Sequence, residues 1–453
     1  MPATKVILIV IDGLTPSMFE AAAGDARFPA LSFLAQHGRY ERAVTTFPSL
    51  TPVCMSSLVT GAHPDVHHIP HLVWWNREER RIVEYGSSFA ALRAAGMARA
   101  ILDTVINMNR DHLGRDAVTL FEAVEDAGYT AAAINATCYR GRTPHLPTLP
   151  GIPIPAYGPK RFFYYSLFES DATGAPIAIL ARGAGSIDAY AATVGRWLVT
   201  RDGFDLLVYY LPDYDFASHA HGPDAAHDAL GRADAAIGAL LEAAGGAEEF
   251  LERYAVVFCS DHGQTHVDRH ATFGEPFRDL AGDVCATASN RAGMVYRLDE
   301  HAPDARALAG RLDGDQSIDV TLFLEGNEAV ATRSGEELRF APDADGWRTS
   351  GDASLLDHPD ALRRSWAALR NPNAGDVIVS AASGYEFADL AGRHHAGGGS
   401  HGSLVIGDSE VPMLTLGIDA SPRSIVDVAP AVLRHFGLDP PAYGREPERT
   451  VAA

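Results

Sequence analysis

No uninterrupted apolar run of about eighteen residues occurs in the chain, and a membrane-spanning helix needs one of that length. The N-terminal apolar segment is shorter still and leads straight into Asp12 rather than into a small-residue cleavage site. A secretory leader is therefore not expected, and cytoplasmic residence without a membrane partner follows as the default. Cysteine is scarce: Cys54, Cys138, Cys259 and Cys285 are the four present, and none stands in Cys-x-x-Cys spacing. That pattern suggests neither a zinc ribbon nor a disulfide framework, and the expected state is a buried free thiol. Basic residues are in deficit, with 37 Lys and Arg against 58 Asp and Glu, a formal net charge of −21. A surface so acidic repels nucleic acid polymers and suits a small substrate. A dinucleotide fingerprint is incomplete, because Asp188 stands where a third glycine should follow Gly183 and Gly185. The sequence carries no signal of oligomeric state.

What the chain does contain is 47% hydrophobic and 21% charged residues over 453 positions, enough apolar content for a large α/β core. Strand-like and helix-like segments alternate through residue 280. One example is Leu120 to Tyr129, an amphipathic helix closed by Gly128 before the run Ala131 to Asn135. This alternation predicts a doubly wound, mostly parallel sheet. From residue 281 to 395 the texture changes to short charged strands and turns, such as Val320 to Phe323 and Gly346 to Arg348.

Three strand-like runs end in metal-ligating residue types. Val6 to Ile11 leads into Asp12-Gly13, Leu206 to Leu211 leads towards Asp215 and His219, and Ala255 to Ser260 leads into Asp261-His262-Gly263. Ligands of open α/β sheets collect beyond the carboxyl ends of the strands, which is where these side chains would lie. Each alone has an ordinary reading as a helix cap or turn residue. Asp215 and His219, four apart, share one face of a helical turn and can grip one ion. Asp261 and His262 would diverge on a regular strand, so they share a centre only where the strand breaks at Gly263.

The segment Phe47 to Gly61 supplies hydroxyl nucleophiles, and here the chain resembles the type I phosphodiesterase and nucleotide pyrophosphatase branch of the alkaline phosphatase superfamily. That family has a threonine before a helix ending in Thr-Gly, followed by Pro-x-x-His-Gly-Ile. Counting back from Thr60-Gly61 by the family's spacing places the nucleophile at Thr51, and Pro64 to Ile69 matches the next segment with His68 replacing glycine. The resemblance implies an alkaline-phosphatase-like α/β/α sandwich with a mostly parallel central sheet. Residues 1–280 and 396–453 would form the catalytic core, and 281–395 an inserted cap that overhangs the metals and shapes substrate choice. It also implies one metal held by Asp12, Thr51, Asp261 and His262, and a second held by Asp215, His219 and His401, which lies in the context Gly399-Ser400-His401-Gly402.

Metal coordination is one of the few ways to activate a threonine hydroxyl, and two ions about 4 Å apart stabilise both the attacking oxygen and the phosphoryl charge. Zinc suits the donors, and manganese or iron would fit the same set. The implied cycle runs through a phosphothreonine on Thr51, with net retention at phosphorus. A phosphoryl-binding asparagine of the family falls here on Leu72, with Asn76 close by as its substitute. Trp74 and Trp75 beside it would offer a stacking wall, with packing under a loop as the alternative. His67, His68 and His71 crowd the same stretch, and Arg140 and Arg142 are candidates for phosphate contact or a solvated turn. Cys54 lacks the Cys/Ser-x-Pro-x-Arg context of sulfatases, and Ser49 is the fallback nucleophile. The leading expectation is a two-metal phosphoric ester hydrolase of phosphodiesterase or pyrophosphatase type, acting on a small phosphate ester or phosphonate. A carbon–phosphorus hydrolase, a phosphotransferase, or a metal-binding protein that no longer catalyses are the alternatives.

Overall fold

The structure is a computed structural model that describes residues 5–148, 154–165, 167–177, 185–344 and 346–444. Gly183, of the incomplete glycine motif, lies outside the described residues. The central sheet has eight strands: β1 (Lys5–Ile11), β2 (Arg39–Val44), β3 (Ala131–Ile134), β4 (Arg161–Tyr164), β5 (Phe168–Ser170), β6 (Leu206–Leu211), β7 (Tyr254–Cys259) and β8 (Glu410–Leu416). Their order across the sheet is β2-β8-β7-β1-β6-β3-β4-β5. The inner run β7-β1-β6-β3-β4 is parallel, and antiparallel pairs close both edges.

Both faces of β1 are covered, which is why its sequence is continuously apolar rather than alternating. Val6, Leu8 and Val10 point into one core with Val53, Leu58, Phe121 and Val432 from the helices Thr51–Thr60, Leu120–Asp126 and Val428–His435. Ile7, Ile9 and Ile11 point into the other, against Phe19, Leu34, Val194 and Ile237 from four further helices. The result is three layers, helix on sheet on helix. Register then aligns the strand ends, since Ile11 pairs with Leu211 and Val10 with Cys259. Asp12 and the segments carrying Asp215 and Asp261 therefore emerge on one edge.

Between β7 and β8 the chain builds a second, antiparallel sheet of seven strands spanning Val284–Gly351 and Val377–Ala381. Its Met294, Tyr296, Leu322 and Phe340 join the same core as Val53 and Leu58, so the two sheets are packed as one body on that side. Cys54, Cys138 and Cys259 are buried and all four cysteines are free. Among the described residues no helix is long and apolar enough to cross a membrane.

One buried acid pair carries a pH signature. Asp188 Oδ1 accepts from the Asp213 amide at 3.3 Å, Asp213 Oδ2 accepts from the Asp188 amide at 3.4 Å, and Asp188 Oδ2 has no partner. Burial, then the Asp213 carboxylate, push Asp188 up to about 8. A folded state that holds the extra proton loses stability as pH rises from the ordinary carboxylate range towards that value. Asp188→Asn, neutral at every pH, is expected to raise the melting temperature by about 2–4 °C near pH 9 and to make little difference near pH 5. Thermal denaturation at the two pH values checks it.

Candidate metal centre

Seven side chains converge at the carboxyl edge of the sheet. Asp12 leaves the end of β1, its amide still donating to the Leu211 carbonyl at 3.1 Å. Gly13 follows with φ +68°, and a Cβ there would meet Asp215 Oδ1 at 2.8 Å, so both the turn and the crowding call for glycine. Asp215 and His219 lie one turn apart on the helix Asp213–His221, with His219 Nε2 3.3 Å from Asp215 Oδ2. Asp261 and His262 follow β7 and do turn to one point, His262 Nε2 lying 3.5 Å from Asp261 Oδ2 and 3.2 Å from Asp12 Oδ1. Gly263 does not supply a left-handed turn there. It is needed because a Cβ would stand 2.2 Å from the Gly407 carbonyl oxygen.

His401 reaches the centre through a small ladder in which Gly398–Ser400 pairs antiparallel with Thr265–Val267, just after His262. Its Nε2 lies 3.8 Å from Asp215 Oδ1, and its ring stacks on that of His262 at 3.6 Å between centroids. Two donor groups result: Asp12, Asp261 and His262, and Asp215, His219 and His401, each with ligand atoms within 4.8 Å of one another. Thr51 opens the helix Thr51–Thr60, and its Oγ1 is 3.1 Å from His262 Nε2. The fallback hydroxyl is not available in the same way: Ser49 Oγ is buried, donates to the Ser403 carbonyl at 2.9 Å and accepts from the Gly402 amide at 3.1 Å.

The donor set fits cations on three grounds. Each imidazole donates from Nδ1 to a backbone carbonyl, His219 to Gly399 at 2.8 Å, His262 to Gly263 at 3.0 Å and His401 to Ser49 at 2.8 Å. That leaves Nε2 of all three turned on carboxylates, as ligating histidines are oriented. Asp12 Oδ1 and Asp261 Oδ2 are buried without any hydrogen-bond partner, which is costly for a carboxylate unless a cation compensates. And among the described residues lining the adjoining cavity there is no lysine or arginine to balance three acids.

Protonation in the metal-free chain reflects that imbalance. Burial, then the Asp261 and Asp215 carboxylates, hold Asp12 well above the ordinary carboxylate range, and burial raises Asp261 too. Asp215 behaves oppositely: burial opposes its ionisation, but His219, His401 and His262 together hold it low. His219 is correspondingly raised, Asp215 outweighing burial, while burial and the neighbouring His262 push His401 well down.

Several supporting residues carry no motif. The Tyr210 hydroxyl donates to Asp12 Oδ2, Gln264 Nε2 donates to Asp215 Oδ1 at 2.8 Å, and Asn290 Nδ2 meets His401 Nε2 at 3.0 Å. Tyr210→Phe removes one orienting bond and is expected to lower metal affinity about 10-fold, read by titration with a chromogenic chelator. Asn135, which ends β3 as Asp12 ends β1, also borders the cavity, and the strand-end rule would have found it.

Other expectations are corrected. Asn76 is not at the centre: it closes the hairpin Val73–Asn76 with Arg81–Glu84, its Oδ1 accepting from the Glu79 amide at 2.9 Å. Leu72, where the family count falls, does border the cavity. Trp74 is not a stacking wall but is 1% exposed, packed edge-on against the His112 ring at 5.3 Å and beside Tyr85. His67 and His71 are buried, accept from the Ile69 and Val73 amides, and are pushed by burial down to about 3 and about 4, so they are neutral packing residues. His68 takes the left-handed conformation, φ 65°, at the position where the family has glycine. Arg140 is a staple, donating to the carbonyls of Leu113 and Gly114 at 3.1 Å each and to Glu122, and Arg142 pairs with Glu122 and Asp126.

The cavity has a volume of about 390 Å³ and is bordered by Asp12, Thr51, Asp215, His219 and His401. Among the described residues of 281–395, Asn290 and His395 alone reach it, and its apolar wall is built by Leu72, Tyr85, Tyr164, Tyr165 and Leu167 with Ile187 and Phe216. Among solved structures, phosphonoacetate hydrolase from Sinorhizobium meliloti 1021, in complex with phosphonoformate, superposes with a TM-score of 0.62 at 17% identity, covering 96% of both chains. Murine ectonucleotide pyrophosphatase/phosphodiesterase 5 superposes with a TM-score of 0.61 at 13% identity, again over 96% of both. Such likeness establishes the alkaline-phosphatase-like fold. No curated protein matches the sequence. Residues 6–404 match the type I phosphodiesterase / nucleotide pyrophosphatase family, with every residue of the convergent centre inside that span, and the chain belongs to that family.

Proposed function

We propose that the protein is a two-metal hydrolase of phosphate esters or phosphonates, with Thr51 as nucleophile. The observation that carries this reading is the Thr51 hydroxyl at the cavity wall, 3.1 Å from His262 Nε2 and beside two groups of donors, with no lysine or arginine among the described residues that line the cavity. Asp12, Thr51, Asp261 and His262 would hold one ion, and Asp215, His219 and His401 the other. Divalent ions there supply charge neutralisation and make the hydroxyl more acidic. Zinc suits three imidazoles and three carboxylates, and manganese or iron would compete for them.

Thr51 Oγ1 forms the bond to phosphorus, the ester oxygen or carbon opposite it departs and takes a proton, and water then displaces Thr51 from the phosphoryl group. Two inversions give net retention. Pro52 has no amide hydrogen and the Val53 and Cys54 amides are bonded to the Leu50 carbonyl, so the helix that Thr51 opens would act on the phosphoryl oxygens mainly through the positive end of its dipole. The family and the phosphonoacetate hydrolase fold leave two leaving-group chemistries open, P–O and P–C. The test is metal content of the purified protein together with turnover of bis-p-nitrophenyl phosphate, p-nitrophenyl phosphate and a phosphonate. About two ions per chain with turnover of either ester supports the reading, and full metal occupancy with no turnover of any of the three defeats it.

A further inference from the structure

The chemistry of the cavity beyond the metal ligands constrains what can leave. We infer, resting on the hydrolase reading, that the leaving-group subsite takes an uncharged, predominantly apolar group, and that the substrate carries its negative charge on the phosphoryl group alone.

The electrostatic argument is a count. Two dications against the carboxylates of Asp12, Asp215 and Asp261 leave one positive charge, which an ionised Thr51 or one phosphoryl oxygen cancels. A second anionic group on the substrate would need a cation of its own, and among the described residues lining the cavity none is lysine or arginine. Nor do the Gly86 and Ser87 backbone amides make an anion nest. The Gly86 and Ser87 amides border the cavity, but both donate to Glu84 Oε1, at 2.7 and 2.5 Å, and the Ser87 hydroxyl donates to Glu84 Oε2 at 3.0 Å. Those donors are turned away from any ligand and onto a buried carboxyl.

The walls point the same way. Leu72, Tyr85, Leu167 and Ile187 form an apolar lining, and Tyr165 and Phe216 stand at its edge, 48% and 59% exposed. These two are among only six large hydrophobic side chains that the described residues leave exposed, and two meeting at one cavity is what a ligand-covered rim looks like. Asn135, 4% exposed, has an unpartnered Nδ2, and Thr137 Oγ1 is buried without a partner, and both are neutral; His395 also lines the cavity, but its Nδ1 is paired with the Glu386 carboxylate at 3.0 Å, which answers any charge it carries. Asn135 and Thr137 can hold an ester or aryl oxygen but cannot neutralise a carboxylate. A second phosphate or a carboxylate in the leaving group would therefore be desolvated without compensation.

Binding of matched, non-hydrolysable probes to the zinc-loaded protein tests this by calorimetry, without relying on turnover. Phenylphosphonate is expected to bind about 100-fold more tightly than 4-carboxyphenylphosphonate, and Leu72→Arg is expected to narrow that ratio at least about 10-fold by supplying the missing cation. Equal affinity for the two probes, a preference for the carboxylated one, or tighter binding of a 4-trimethylammonio analogue would each overturn the inference. An unchanged ratio in Leu72→Arg would also overturn it, because the far end of the ligand would not lie against that wall. Turnover of phenyl phosphate and its methyl diester is measured alongside. Discrimination between the probes without turnover of either ester or of a phosphonate upholds the apolar subsite and tells against the hydrolase reading, so the two fail separately.

Discussion

Thr51→Ala is expected to lower kcat/KM on an aryl phosphate ester by roughly 10⁴-fold or more while the protein keeps its fold and most of its metal. The asymmetry follows from the contacts. Removing the hydroxyl takes away the nucleophile that stands against the donor groups, 3.1 Å from His262 Nε2, and Ser49 cannot replace it because it is buried and already bonded to the Ser403 carbonyl and the Gly402 amide. The same change removes one donor from a group in which Asp12, Asp261 and His262 remain, and it sits at the first position of a helix whose cap, Leu50, makes no side-chain bond to lose. Thr51→Ser keeps the attacking oxygen and loses a methyl that restricts its rotamer, so it should recover activity to within about 10-fold of the wild type. Steady-state kinetics, metal analysis and a melting curve on the three proteins check this together. If the alanine variant turned over at a rate near the wild type, attack would have to come from water rather than Thr51, and a stereochemical experiment would then report inversion at phosphorus instead of retention.

How much of this was legible in the sequence depends on whether the signal was local or relational. Strands buried on both faces announce themselves as unbroken apolar runs, so β1, β6 and β7 and the residues just beyond them could be read directly. Asp215 and His219 were legible from helical spacing. His401 was not legible from spacing, since it is brought in by the pairing of Gly398–Ser400 with Thr265–Val267, and only the family resemblance pointed to it. Asn76 failed because counting assumes the backbone path is kept, whereas here the chain folds into a tight hairpin whose turn consumes the Asn76 side chain. Trp74 failed because strand alternation says that Trp74 and Trp75 face opposite ways without saying which way is the cavity. The change of texture at residue 281 was visible as composition. That its sheet would pack into the main core, and that Asn290 and His395 would be the described residues of this stretch to reach the cavity, is a consequence of tertiary packing, which composition does not encode. Tyr210 lay in plain view inside β6, but its bond to Asp12 depends on two parallel strands being neighbours in register.

Stripping the metals is expected to destabilise the protein more steeply as pH rises, and Asp12→Asn is expected to remove much of that slope. In the metal-free chain burial and two neighbouring carboxylates hold Asp12 above the ordinary carboxylate range. The folded state therefore binds a proton that the unfolded chain releases, so this group's contribution is complete at acid pH and is lost as pH climbs from the usual carboxylate pKa through the raised one. Asp261 acts in the same sense, and so does His219, whose raised pKa favours folding below the ordinary imidazole value. His401, pushed down by burial, works in the opposite sense below that value, which is why the comparison is made against Asp12→Asn, which removes the Asp12 titration and keeps His401 and His219 in place. Asparagine cannot ionise, so metal-free Asp12→Asn should be more stable than metal-free wild type at neutral and alkaline pH. Adding metal should reverse the order. Ligation at a thousandfold excess over Kd stabilises by about 4 kcal/mol per site, and the variant forfeits most of this at the group that has lost a charged donor. Scanning calorimetry of chelator-treated and zinc-reloaded samples, from mildly acid to mildly alkaline pH, should show the two stability orders cross. A wild type whose metal-free form is as stable as the loaded one at every pH would mean that the three buried carboxylates are compensated by something other than bound cations.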